Sequence, residues 1–262
     1  MGVDVVTAVH SGYARFLPDA WRSLRSQSYP RWTWLLQVDG ADDTEVRAAL
    51  AECGALSDPR LRLAANGTRE GTAVTRNVAL GRGTAPLVQT LDADDLLEPR
   101  AIAVLADALR ARPAAGYAAG HARDLLPTGE LREHHLSLRT GPIARGALVG
   151  EWVTEPGRYR VPLHPAGVMW RRELVVVAGG WSGLRSMEDT GLLMAVSAIA
   201  EGVLVEQNTL RYRKHPAQQS AKRSKFIGGG AQIALVRQRA ELLASFPPWL
   251  DDLGEPEPRD VP

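Results

Sequence analysis

Three carboxylates within four positions, Asp92, Asp94 and Asp95, follow directly on the mostly apolar run Leu87-Val88-Gln89-Thr90-Leu91. Like charges this close repel, so they need solvent, cations or hydrogen-bond donors around them. An oxygen-only set with no cysteine or histidine inside it suits a hard cation such as Mg2+ or Mn2+. Mg2+ characteristically takes one or two protein carboxylates and completes its shell with water and substrate phosphates, an arrangement that can hold a nucleoside diphosphate. The competing reading is an exposed acidic turn whose last carboxylate caps the next helix. Position favours a site, because the cluster closes a buried strand in about the fourth β-unit of the chain. A second acid, Asp39, stands at the end of another apolar run, Trp32–Val38. A third, Asp189, opens a helical pattern far along the chain.

The elements that must place these groups alternate in the first half. Val3–Val9 reads as a buried strand, Phe16–Gln27 as a helix with Leu17, Trp21 and Leu24 at near-helical spacing, and Trp32–Val38 as a second strand. Glu45–Cys53 is a helix candidate, Leu61–Ala64 a short strand, Gly71–Gly81 a helix, and Pro86–Leu91 a strand ending at Asp92. Pro99 can open the next helix, which runs along Ile102, Leu105 and Leu109 to Arg112-Pro113. Repeated β-α-β units predict an α/β fold, a mainly parallel central sheet covered by helices on both faces. Ligands of such sheets bind beyond the carboxyl ends of the strands, where both Asp39 and Asp92 fall.

The second half is less regular. Tyr117–Arg123 and Val168–Arg171 read as strands, Glu173–Ala178 as a short helix ended by Gly179-Gly180, and Asp189–Glu201 as a helix. Val203–Glu206 and Leu210–Arg213 look strand-like, Ile233–Leu243 reads as a closing amphipathic helix, and Leu125–Pro165 offers no pattern. The expectation is one domain over 1–250, with a nucleotide-holding half over about 1–120 and an acceptor-holding half over about 121–250. The proline- and charge-rich tail, 251–262, is expected to be disordered.

Composition narrows the function classes. A chain of 262 residues can bury roughly 70–75% of its unfolded surface, so it needs no disulfide or structural metal to fold. Its 31 basic and 30 acidic residues leave a net charge of +1, which argues against a nucleic-acid or anionic-membrane binder. The single cysteine, Cys53, forms no internal disulfide and no zinc cluster, pointing to the cytoplasm. No run reaches the roughly 18 apolar residues of a transmembrane helix, and the start, with Asp4 inside its first apolar stretch, lacks a targeting pattern.

Several segments, in order, resemble family 2 glycosyltransferases of the GT-A fold. Ser23-Leu24-Arg25-Ser26-Gln27-Ser28-Tyr29 is similar to that family's Ser-Leu-x-x-Gln-x-Tyr helix end, and Val38-Asp39-Gly40-Ala41 to its Asp-Gly-Ser turn. Gly71-Thr72-Ala73-Val74-Thr75-Arg76-Asn77 resembles its Gly-x-x-x-x-Arg-Asn element, and Leu91-Asp92-Ala93-Asp94-Asp95 its Leu-Asp-x-Asp-Asp strand end. Gly179-Gly180-Trp181 with Glu188-Asp189 resembles a Gly-Gly-Phe/Trp and Glu-Asp pair, and Tyr212-Arg213-Lys214-His215 a C-terminal Tyr-Arg-x-His segment. The likeness runs from about Val5 to His215.

The resemblance implies a nucleotide-sugar donor, a UDP-sugar above all, and a Mn2+ or Mg2+ cofactor. It assigns Asp39 to the nucleobase, Arg76 to the base or diphosphate, Asp92 to the ribose hydroxyls and Asp94 to the metal, with His215 completing the metal site or touching the diphosphate. Thr7 joins the donor-binding set, although a buried strand threonine is its other reading. Asp189 becomes the general base that takes the acceptor hydroxyl proton in a direct displacement, and Glu188 an acceptor-binding residue. Plain structural roles stay open beside these: an Asx turn at Asp39, a helix-surface Arg76, a helix cap at Asp189, a solvent-facing His215. The basic stretch Ala221–Lys225 before Gly228-Gly229-Gly230 reads either as a loop closing over a diphosphate or as a solvated charge run.

There are departures. The family's Tyr-Asn after the first strand is replaced by His10-Ser11, and the Gln-x-x-Arg-Trp signature of processive synthases is absent, so a single transfer to a small-molecule or glycan acceptor is expected. A sugar-nucleotide pyrophosphorylase would need a glycine-rich, arginine-containing loop after the first strand, which His10-Ser11-Gly12-Tyr13 does not supply. A dinucleotide-dependent dehydrogenase would need Gly-x-Gly-x-x-Gly there. A nucleotide-sugar-binding protein without turnover is the non-enzymatic alternative.

Overall fold

Five buried residues in seven of Val3–Val9 that are β-branched or alanine make a strand, β1, that is packed on both faces. It lies between two parallel neighbours, β2 (Trp32–Val38) and β4 (Leu87–Thr90), with Val3 in register with both Trp32 and Leu87. β3 (Leu61–Ala65) extends the parallel set beyond β2. The connecting helices are α1 (Leu17–Arg25), α2 (Thr44–Glu52) and α3 (Thr72–Gly81), and the 3-10 turn Ser11–Phe16 precedes α1. This register carries the carboxyl ends of β1, β2 and β4, hence His10, Asp39 and Asp92, to one edge of the sheet. The coordinates are a computed structural model that describes residues 1–150, 152–155, 158–159, 162–185, 187–218 and 229–246.

After the acidic cluster come β5 (Leu96–Leu97), α4 (Ala101–Ala111), β6 (Ala115–Leu125), β7 (Leu131–His134) and β8 (Gly141–Ile143). β9 (Val153–Glu155) and β10 (Arg158–Tyr159) form a separate antiparallel pair. β11 (Met169–Arg171), α5 (Arg172–Val177), α6 (Glu188–Ile199), β12 (Glu201–Arg213) and α7 (Gly229–Ser245) complete the described chain. The main sheet runs β3-β2-β1-β4-β11-β6-β12-β5, with β7 on β6 and β8 on β12. It is therefore mixed. The expected parallel pairing holds among β1 to β4 and between β6 and β12, whereas β11 is antiparallel to both β4 and β6. The sheet is continuous through Gly120, which lies inside β6.

Each face of the sheet has its own apolar layer. One joins Leu17, Trp21 and Leu24 of α1, Val46 and Leu50 of α2, and Ile102, Leu105 and Leu109 of α4 to the strands. The other gathers Leu174 and Val175 of α5, nearly all of α6, and Ile233 and Val236 of α7. Burial of ten of the twelve α6 residues explains why that helix lacks an amphipathic pattern, and it fixes its first turn, with Glu188 and Asp189, at the same sheet edge as Asp92. The two strand-like segments expected at 203–206 and 210–213 are one long strand with bulges. The tail 251–262 and the basic stretch 221–225 lie outside the described residues.

Candidate active site

Arg76 is the centre of the site. It projects from α3, is 2% exposed, and its guanidinium meets three acids from two segments, the end of β4 and the start of α6. Nη1 donates to both oxygens of Asp189 at 2.9 and 3.0 Å, Nη2 donates to Asp92 Oδ1, and Glu188 Oε1 lies 3.9 Å from Nη1. Burial alone would lower the arginine pKa, but Asp189, Asp92 and Glu188 outweigh it and hold the group charged. The guanidinium thus bridges two carboxylates, one on each Nη, and Nη1 holds Asp189 through both of its oxygens.

Asp189 is held from a second side. Trp181 Nε1 donates to its Oδ1 at 2.9 Å. Burial pushes the Asp189 pKa up while Arg76 and the Trp181 hydrogen bond restrain it. Glu188, buried beside that charge, is pushed up to about 7, and its Oε2 has no hydrogen-bond partner. Trp181 is itself positioned by Asn77: the Asn77 amide donates to the Trp181 carbonyl at 3.0 Å and accepts from the Trp181 N–H at 2.9 Å. Gly180, at φ +69°, lets the loop pass so close that a Cβ there would stand 2.2 Å from Asn77 Oδ1. The Arg-Asn and Gly-Gly-Trp motifs are thus two halves of one device.

On the other side of Arg76, one ligand atom each from Asp92, Asp94 and Asp95 lie within 4.8 Å of one another. Burial and the Asp92 charge raise the Asp94 pKa, which His215 partly counters through a 2.9 Å contact between Nε2 and Asp94 Oδ2. Asp95 is 1% exposed and accepts the Arg213 backbone N–H at 2.9 Å, which ties the end of β12 to the cluster. Its pKa is driven well up by burial and by Asp94 and Asp92. Asp95 Oδ2 and His215 Nδ1 are buried without partners. An all-oxygen cluster in which Asp94 and Asp95 have raised pKa values and Asp95 Oδ2 is unpartnered fits a hard divalent cation, which would relieve the mutual repulsion.

The remaining expectations divide. Asp39 stands at the end of β2, but its Oδ1 accepts the backbone N–H groups of Glu70 and Gly71 at 2.7 and 3.0 Å, so it shapes the loop into α3. Thr7 is fully buried, donating to the Leu91 carbonyl at 2.7 Å and accepting from Trp34 Nε1 at 2.9 Å. Its hydroxyl is used inside the protein, as the buried-threonine reading has it. Sequence reasoning gave no role to Tyr13 and Phe16. Their rings stand 5.6 and 4.7 Å from that of His215, so an aromatic wall flanks the acidic cluster. The signal was their three-residue spacing, which aligns side chains on a 3-10 turn.

A helix-flanked mixed sheet with an acidic cluster and a held carboxylate at one strand edge defines a GT-A-type glycosyltransferase architecture. The Glycosyl transferase family 2 model matches residues 4–181, more than half of the chain, and the protein belongs to that family. A segment of 111 residues, 42% of the chain, is 32% identical to the O-antigen biosynthesis protein RfbC of Myxococcus xanthus but spans only 9% of that protein. Among solved structures, S. aureus TarS residues 1–349 in complex with UDP-GlcNAc superposes with a TM-score of 0.68 at 14% identity, covering 93% of this chain and 70% of that one. The mannosyltransferase PcManGT of Pyrobaculum calidifontis, in complex with GDP-Man and Mn2+, gives 0.60 at 16% identity over 92% and 68%. At these identities the likeness is one of fold. No helix among the described residues is long and apolar enough to cross a membrane.

Proposed function

We propose that the chain is an inverting, divalent-metal-dependent glycosyltransferase that moves a sugar from a nucleotide-sugar, a UDP-sugar, to a hydroxyl of a glycan or small-molecule acceptor. The observation that carries this reading is the Arg76 guanidinium joining Asp92 at the acidic cluster to Asp189. It couples the donor end of the site to a carboxylate poised as base, at a distance set by one side chain. UDP-GlcNAc and GDP-Man in the similar folds, Mn2+ in one of them, accord with it.

In this reading Asp94, with Asp92 and His215 beside it, holds the cation. A divalent ion bound there would neutralise charge developing on the leaving diphosphate. Asp189 accepts the acceptor proton, and its raised pKa makes it a stronger base than a solvated aspartate. Arg76 and Trp181 hold it in orientation. Glu188, adjacent and with its pKa pushed up to about 7 by burial and the Asp189 charge, presents a donor or acceptor to the incoming substrate. The free Cys53 accords with a reducing cytoplasm.

A thermal-shift screen of nucleoside diphosphates with and without Mn2+ tests the donor assignment. UDP with Mn2+ at about 100 times Kd should raise Tm by roughly 5–10 °C in the wild type. Asp94→Ala should lose that shift. Asp189→Asn should keep it while losing transfer by at least about a hundredfold. An equal shift in Asp94→Ala, or full turnover by Asp189→Asn, overturns the corresponding assignment.

A further inference from the structure

The loop between α5 and α6 contains two successive left-handed glycines, Gly179 at φ +77° and Gly180 at φ +69°. Glycine has little conformational preference of its own, so contacts from outside must set the path of this loop. On one side Asn77 of α3 grips Trp181. On the other stands Arg239, in the middle of α7 and beyond His215, where the recognisable motifs end. Its Nη2 donates to the Ala178 carbonyl and its Nη1 to Ser182 Oγ, the latter at 3.0 Å. One guanidinium therefore spans the loop, from the residue before Gly179 to the residue after Trp181. A Cβ on Gly179 would stand 3.6 Å from Nη2, so the chain passes directly under the fork.

Both ends of this span bear on Asp189. Trp181, inside it, donates to Asp189 Oδ1 at 2.9 Å. Ser182 rests on the start of α6: a Cβ on Gly191, two residues after Asp189, would stand 3.0 Å from Ser182 Oγ. α7 in turn buries Ile233, Val236 and Ala240 in the apolar layer that holds α6, so the stem of Arg239 is fixed relative to the helix that carries the carboxylate. Packing between α7 and the loop is incomplete. An apolar cleft of about 200 Å3, bordered by Leu184, Gly191, Leu235 and Val236, lies there with Arg239 at its edge. Atoms facing such a gap lose dispersion contacts, which leaves the two charge-assisted hydrogen bonds as the firm link. Among the described residues no carboxylate pairs with Arg239, so its donors serve the loop.

We infer that Arg239 is a positioning residue for Asp189, acting through the loop 178–182 and the Trp181 indole. The inference rests on the reading of Asp189 as the base, to which it adds a residue from a helix that touches no part of the acidic cluster.

Two-dimensional 1H–15N NMR of the full chain labelled with 15N-tryptophan tests it. There are seven tryptophans, and the peak lost in Trp181→Phe identifies the Trp181 indole. Arg239→Met keeps the apolar stem and removes the donors. In it the Trp181 peak should move upfield as the hydrogen bond to Asp189 loosens, while those of Trp21, Trp32 and Trp34, in the other apolar layer, stay in place. Hydrolysis of UDP-GlcNAc with Mn2+ should fall about tenfold or more in kcat with UDP affinity unchanged, since a misplacement of about 1 Å can cost about a hundredfold. Arg239→Lys keeps the charge but reaches only one of the two acceptors, and should fall between. Should Arg239→Met shift every peak, a folding defect, Ser182→Ala decides by the same readouts, because it deletes only one hydroxyl. An unmoved Trp181 peak, or wild-type hydrolysis in Arg239→Met where Asp189→Asn has lost it, overturns the inference. With a wild type that hydrolyses no UDP-GlcNAc, the Trp181 peak decides alone. Wild-type hydrolysis by Asp189→Asn, with the Trp181 peak still moved by Arg239→Met, would sink the base reading and leave Arg239 as the residue that holds this carboxylate in place.

Discussion

Arg76 shows what a single residue can and cannot announce. Its type and its place in the Arg-Asn element fit a phosphate or base contact, and the acids it meets were each visible as candidates. Their meeting was not, because Asp189 lies 113 positions away and nothing local encodes that approach. With both Nη groups engaged by carboxylates, Arg76 does its work here by orienting Asp189. Trp181 was legible only as part of a Gly-Gly-Trp motif, yet its indole N–H holds the Asp189 carboxylate from a second side. Trp181→Phe removes that hydrogen bond while keeping an aromatic face near the Arg76 guanidinium, now 5.8 Å from the ring. The bond favours the charged carboxylate, so its loss should raise the Asp189 pKa further. If Asp189 must be ionised to act, the ascending limb of kcat/KM against pH moves to higher pH in Trp181→Phe. An unmoved limb would mean that Asp189 is not the titrating base.

At the scale of elements, periodicity located most strands and helices of the first half, and Val3–Val9 and Trp32–Val38 agree residue for residue. It split β12 in two because Gln207, Asn208 and Thr209 interrupt the apolar pattern at bulges, where side chains leave the regular alternation. β7 to β10 were invisible, being two to four residues long, too short to show a period-two alternation. The contact between α3 and the loop before α6 is the element-scale device that matters for the site. Asn77→Ala deletes two hydrogen bonds to Trp181 and leaves a backbone N–H and C=O unpaired. A loss of about 2 kcal/mol in urea unfolding is expected. Turnover should fall while UDP affinity holds if Asp189 is the base, because Trp181 and with it Asp189 are displaced and the acidic cluster is not. Gly180→Ala should do the same, since its Cβ would stand against Asn77. If UDP affinity falls in step with turnover, the loop serves the donor end as well.

For the whole molecule, the sequence pattern gave an α/β layering but not the order of neighbours. β11 is only three residues long, yet it sits antiparallel between β4 and β6 and so joins the two halves into one sheet. Parallel β-α-β patterning cannot foretell such an insertion, because short antiparallel strands carry little periodicity. Directly after β11, Arg172 reaches back across the junction. It donates to Asp4 of β1 through Nη2, to the Leu80 carbonyl through Nη1 at 2.8 Å and to the Ala85 carbonyl through Nε at 2.6 Å. The Asp4 side chain is only 5% exposed, so Arg172→Met would leave a buried carboxylate held by the Ala85 N–H without its cation. Breaking a buried pair by removing one member costs about 3–5 kcal/mol. That is a large share of the roughly 5–15 kcal/mol that stabilises a domain. Because the sheet and both apolar layers run through the junction, the loss should lower one shared transition. Near- and far-ultraviolet circular dichroism in urea should fall together at a reduced midpoint with a similar slope. Two separated transitions in Arg172→Met would mean that the halves on either side of β11 fold as independent bodies, bound to each other chiefly by this arginine.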